Sequence, residues 1–106
     1  MISFQYFDGC PHSKATLRNL EQVSVELGIP SDEIQVMRVR DPDEAERLSF
    51  AGSPSVLVDG VDIYTGLPPA EASFSCRVFT FNGEQTGVIP GWFLKEKLGK
   101  RPPPAK

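Results

Sequence analysis

Soft metal ligands are scarce in this 106-residue chain, in which Cys10, Cys76 and His12 are the only cysteines and histidine. A tetrahedral structural zinc site would be one ligand short, so no metal is expected, and no pattern calls for another cofactor. Two cysteines in a cytoplasmic chain do not predict a structural disulfide, because that compartment keeps thiols reduced. Long apolar runs are missing too. Nothing approaches the roughly eighteen consecutive apolar residues of a membrane-spanning helix. The N-terminal "MISFQYFDG" has neither a basic region nor a small-residue cleavage site, and its apolar residues suit a first strand better than a secretion signal. These absences predict a cytoplasmic protein without a membrane partner. Basic charge is also in short supply: a net charge of −3 argues against broad attraction to nucleic acid. Five of the eleven Lys and Arg residues fall in "KEKLGKRPPPAK" at the C-terminus. A helix end followed by a solvated tail accounts for them, since cations suit a helix C-terminus and three consecutive prolines cannot join a core.

The rest of the chain is that of an ordinary folded domain, 40% hydrophobic and 24% charged. One domain is expected over 1–98, with a flexible tail over 99–106. Residues 2–7 mix β-branched and aromatic side chains before Asp8-Gly9, as a buried strand does. Leu17, Leu20, Val23 and Leu27 keep helical spacing, which predicts a helix from Pro11 to Leu27 with Cys10 at its N-cap and Gly28 at its exit. "EIQVMRV" alternates as a second strand, with Ile34, Val36 and Val39 expected to face inward. "DPDEAERLSFAG" opens with an Asp41-x-x-Glu44 capping box around Pro42 and predicts a second helix. "SVLVDG" is a third strand, "CRVFTFNG" a fourth that breaks at Asn82-Gly83, and "PGWFLKEKLG" a last helix. Gly66 to Ser75, with Pro68-Pro69, is the one long irregular stretch. The order strand-helix-strand-helix-strand-strand-helix predicts an α/β domain with a four-stranded mixed sheet and helices on both faces. Its first two strands would be parallel and its last two an antiparallel hairpin.

That order, with "GCPHS" opening the first helix and "GSPSVLVDG" entering the third strand, resembles the thioredoxin-like fold of thioredoxins and glutaredoxins. The resemblance runs from Ile2 to about Leu98. "GCPHS" and "SCRVF" are most similar to two motifs of small bacterial thioredoxin-like proteins, Gly-Cys-Pro-His-Cys and Ser-Cys-Arg-x-aromatic, some of them labelled as related to alkylmercury lyases. Ser13 departs from the first motif, since it stands where the second cysteine would be.

The resemblance implies that Cys10 is a reactive thiol at a helix N-terminus, where unpaired amides favour a thiolate. The alternative is a small buried hydrophobe at a strand end. His12 is placed to stabilise the thiolate, or is an exposed first-turn histidine. Ser13 cannot form the disulfide by which a dithiol enzyme releases its substrate, so exchange through two neighbouring sulfurs is disfavoured. It could instead donate a hydrogen bond to the Cys10 thiolate, or be a generic polar residue. Pro54 matches the cis-proline of the family, and Ser53 before it would offer main-chain groups to an extended substrate. Cys76, at the start of the fourth strand, is expected at the far pole of the sheet and more than 10 Å from Cys10, beyond the roughly 7 Å limit for a disulfide. Buried packing is therefore expected of it rather than the role of a resolving thiol. Tyr64 and Phe74, at the edges of the long loop, either cover a groove or fill core beneath it.

These residues imply monothiol thiol–disulfide exchange: Cys10 would react with a low-molecular-weight thiol or a protein thiol or disulfide, and an external thiol would resolve the product. A monomer is expected. The competing reading is a non-catalytic binding module that uses the cis-proline groove. A weaker third is a soft-metal or organomercurial binder using Cys10.

Overall fold

The computed structural model describes residues 1–99, so the tail expected over 99–106 lies, Gly99 excepted, outside the described residues. Strand β1 (Ile2–Tyr6) is central. It pairs in parallel with β2 (Ile34–Arg38), Ile2 facing Ile34 and Tyr6 facing Arg38. On its other side it pairs antiparallel with β3 (Ser55–Val58), Phe4 facing Val56. Two-residue β4 (Val61–Asp62) follows β3 through the turn at Asp59-Gly60 and completes the sheet in the order β2-β1-β3-β4.

Alternation along β1 divides its side chains between two layers. Ile2 and Phe4 enter the larger core, together with Leu20 and Val23 of α1 (Ser13–Leu27) and Leu94 and Leu98 of α3 (Gly91–Gly99). Ser3 and Gln5 face the other way. There a smaller cluster joins Val39, Phe50 and Ala45 of α2 (Pro42–Leu48), with Phe7 and Phe74 packed against it. The domain is therefore α/β, a four-stranded mixed sheet with three helices divided between its faces. Phe4, Leu20, Phe50 and Phe79 are essentially sealed from water. Each such side chain stabilises the fold by about 1.5–3 kcal/mol relative to exposure.

Local signals act as the sequence suggests, with three corrections. Gly28 ends α1 in the left-handed region, φ 71°, its N–H turned back to the last helical turn. The first correction is at the other end of α1, where the N-cap is His12, not Cys10, and no side chain caps it. The second is in α2. Asp41 caps the Glu44 N–H at 2.8 Å, but Glu44 reaches back to the N–H of Arg40, at 2.9 Å, rather than to that of Asp41. The Arg40 guanidinium also hydrogen-bonds Glu44, and this contact, ahead of the backbone one, holds the Glu44 carboxyl below its ordinary pKa.

The third correction concerns the later strands. The fourth strand of the sheet is Val61–Asp62, not the segment that begins at Cys76. That segment becomes regular only at β5 (Phe79–Phe81), which folds onto β6 (Glu84–Thr86) as a separate two-stranded sheet. Asn82 and Gly83 take φ of 53° and 82°, and two consecutive left-handed residues are what a tight hairpin turn requires. Asn82-Gly83 thus joins two strands instead of ending one. Tyr64 packs edge-on against Phe79 and Phe81, and Phe74 lies 4.8 Å from Phe7 between ring centres. Both aromatics fill core. Among the described residues, no helix is long and apolar enough to cross a membrane.

Candidate thiol site

The turn between β1 and α1 places Cys10. Its N–H bonds back to the Phe7 carbonyl at 3.2 Å, and its side chain points inward at 6% exposure. The thiol donates to the carbonyl oxygen of Ser53 at 3.5 Å. The Ser13 hydroxyl donates to the Cys10 carbonyl at 3.2 Å, so it holds the backbone of Cys10 and not its sulfur. The Cys10 thiol is thus oriented by its turn and by Ser53 rather than by the first turn of the helix.

Cys10 is one of the residues lining a cavity of about 470 Å³ formed between β1 and α1. Phe4, Tyr6 and Leu17 supply its apolar wall, and Asp8, Pro11, Ser13 and Lys14 complete it. Its lining combines an acid, a base and apolar side chains, which suits a small molecule with both polar and apolar groups. Asp8 is also held by Arg38, 3.1 Å away at the surface.

His12 packs flat against the backbone of Gly87, just after β6. A Cβ on Gly87 would overlap the imidazole ring, so only glycine permits this seat for His12.

On the other side of Cys10, the Ser53–Pro54 peptide bond is cis. Pro54 and Ser53 are buried, and the Ser53 hydroxyl accepts from the Phe7 N–H at 3.4 Å. The main-chain groups of Ser53 are not open to a substrate, contrary to expectation. Its N–H donates to the Ser75 carbonyl and its carbonyl accepts from the Arg77 N–H, both at 2.8 Å. Residues 75–77 therefore pair with Ser53 as a short parallel bridge, with Cys76 directly opposite Ser53.

This pairing overturns the expected position of Cys76. The segment after β4 does not continue from the far pole. It runs back along the molecule, tied by Ser73 N–H to the Phe50 carbonyl at 2.7 Å, and delivers Cys76 to the thiol site. Cys76 is exposed, not buried packing. Its thiol is raised above the ordinary cysteine pKa, first by the partial burial it does have, then by a hydrogen bond with Cys10 and by the charge of Cys10. Both cysteines are free thiols.

Arg77 holds the segment in place. Its guanidinium lies 2.6 Å from Asp62 and 3.0 Å from the Ser55 hydroxyl, and it stacks 4.9 Å from the Phe79 ring centre. The arginine stem crosses Gly52, where φ is +112° and a Cβ would strike Arg77. Gly52 therefore supplies both the backbone angle and the clearance. Cys76, Arg77, Gly52 and Gly87 were not identified from sequence as parts of a site. Two signals were available: the "SCRVF" motif, which contains Cys76 and Arg77, and the length of Gly66 to Ser75, which is enough to retrace β3 completely.

Comparisons of the chain with family models, with curated proteins and with solved structures find no match.

Proposed function

We propose that the protein is a thioredoxin-like domain that performs thiol–disulfide exchange through Cys10, with a low-molecular-weight thiol or its disulfide as substrate, in a reducing cytoplasm. One observation carries the choice of substrate: Cys10 lines the β1–α1 cavity while the Ser53 edge is already filled by residues 75–77. An extended peptide would find no free main-chain partners at Ser53. A compact thiol has a cavity of suitable size with Asp8 and Lys14 at its wall. The same occupied edge disfavours a binding module built on the cis-proline groove. His12 and Ser13 act as positioning residues, His12 from its seat on Gly87 and Ser13 through the Cys10 carbonyl.

The test is turnover of hydroxyethyl disulfide with glutathione as reductant. The wild-type protein is expected to accelerate exchange, and Cys10→Ser to reduce it to the uncatalysed rate. Wild-type protein that exchanges no faster than free cysteine at the same concentration refutes the reading.

A further inference from the structure

Residues 75–77 occupy Ser53 as an extended substrate backbone would, and the central residue of this internal occupant is a cysteine. The Cys10 thiol and the Arg77 N–H both converge on a single oxygen, the carbonyl of Ser53. Cys76 immediately precedes Arg77 and stands opposite Ser53 in the bridge. We infer that Cys76 is the resolving thiol of Cys10, supplied from across the cis-proline loop in place of the missing sulfur at Ser13. This inference rests on the reading of Cys10 as the exchanging thiol and adds its partner.

The reaction balances without a further oxidant. The Cys10 thiolate attacks a small disulfide held in the cavity, forming a mixed disulfide and releasing one thiolate, which takes up a proton. Cys76 then loses its proton and attacks the Cys10 sulfur. The bond from Cys10 to the substrate sulfur breaks, and the second substrate thiolate leaves and is protonated. The substrate gains two electrons and two protons, and the protein retains a Cys10–Cys76 disulfide. Two equivalents of a low-molecular-weight thiol reduce that bond and restart the cycle.

The environment of Cys76 suits this order of events. In the reduced protein a hydrogen bond with Cys10 and the charge of Cys10 both keep Cys76 protonated. Once Cys10 is joined to substrate it can carry no charge, so that opposition to ionisation of Cys76 is removed while the burial of Cys76 remains. Cys76, bridged to Ser53, is not among the residues that line the cavity, which is walled by β1, α1 and the turn between them, so it leaves that space to the substrate.

The experiment treats reduced full-length protein with hydroxyethyl disulfide and follows intact mass and peptide maps over time. Wild type is expected to pass through little adduct and to become lighter by two hydrogens, with Cys10 linked to Cys76. Cys76→Ser, an exposed and nearly isosteric change, is expected to accumulate the Cys10 adduct. Loss of that adduct should be at least about tenfold slower than in wild type, where the second thiol acts at high effective concentration. If wild type accumulates the adduct as Cys76→Ser does, the assignment of Cys76 is overturned while Cys10 remains the exchanging thiol. If neither protein forms an adduct at Cys10, the underlying reading fails and the assignment with it.

Discussion

Arg77 Nη1 lies 2.6 Å from Asp62 Oδ2, with 12% of the arginine side chain and 2% of the aspartate side chain exposed. The other Asp62 oxygen accepts from the Tyr64 N–H at 2.8 Å, so the carboxylate is fully engaged. A pair this enclosed is costly to break from one side, because the remaining charge is left without a partner. Asp62→Ala should therefore destabilise the protein by about 3–5 kcal/mol, measured by urea unfolding at neutral pH. It should also slow closure of the Cys10–Cys76 bond, since Arg77 fixes the segment that carries Cys76. A loss below about 1 kcal/mol, the value of an exposed pair, would show that the two groups are solvated.

Gly87→Ala tests the seat of His12. The added methyl overlaps the imidazole, and the ring must move or the end of β6 must shift. Overpacking of this kind costs about 1–3 kcal/mol. The expected outcome is a folded protein with displaced His12 ring resonances and an altered alkylation rate at Cys10. Unchanged resonances would mean that the ring does not rest on Gly87 in solution.

Cys76 should titrate above a free cysteine. Burial, the hydrogen bond with Cys10 and the charge of Cys10 all favour its neutral form. Because the folded state prefers the protonated thiol, its contribution to stability is complete below the ordinary thiol pKa and is lost as pH rises through the higher folded value. Iodoacetamide should thus modify Cys76 with a pH midpoint above that of a free thiol. In Cys10→Ser the charge at position 10 is removed, and the midpoint should fall toward the free value without reaching it. A midpoint unaffected by Cys10→Ser would show that the two sulfurs do not interact.

Ser13→Cys, made together with Cys76→Ser, moves the second sulfur to the place occupied by a hydroxyl that now contacts the Cys10 carbonyl. The introduced sulfur should close a disulfide with Cys10 and restore release of the substrate thiol. Peptide mapping after mild oxidation checks it. Failure to close would mean that the turn before α1 no longer allows the geometry of a Cys-x-x-Cys pair.

Elements with a strong period were legible in the sequence, but the alternation of β2 misled, since Val36, expected to face inward, is 49% exposed. Leu20 and Val23 sit at helical spacing and are buried, and Ile2 and Phe4 alternate into the same core. Cys10 and Ser53-Pro54 were expected together only through the resemblance, since a proline beside a regular element by itself marks neither a thiol site nor a cis bond. The place of Cys76 was not legible. Gly66 to Ser75 has no period, and an irregular segment carries no register from which its exit can be placed. The Asp62–Arg77 pair was equally hidden, since fifteen residues separate two charges that by composition alone belong at the surface. Asn82-Gly83 did contain the hairpin signal. The short polar arm Glu84–Thr86 has too little apolar alternation to read as a strand.

The path of the chain between Asp62 and Ser73 has a consequence for how the molecule can be cut. Both ends of this stretch are anchored, one through Asp62 to Arg77 and the other through Ser73 to Phe50. Most of residues 65–73 between them are exposed. A protease that nicks the backbone there separates a fragment containing Cys10 from one containing Cys76. In the reduced protein the two fragments part under denaturing conditions. In the oxidised protein they migrate as one species until a reductant is added, so a single gel reports which thiols have joined.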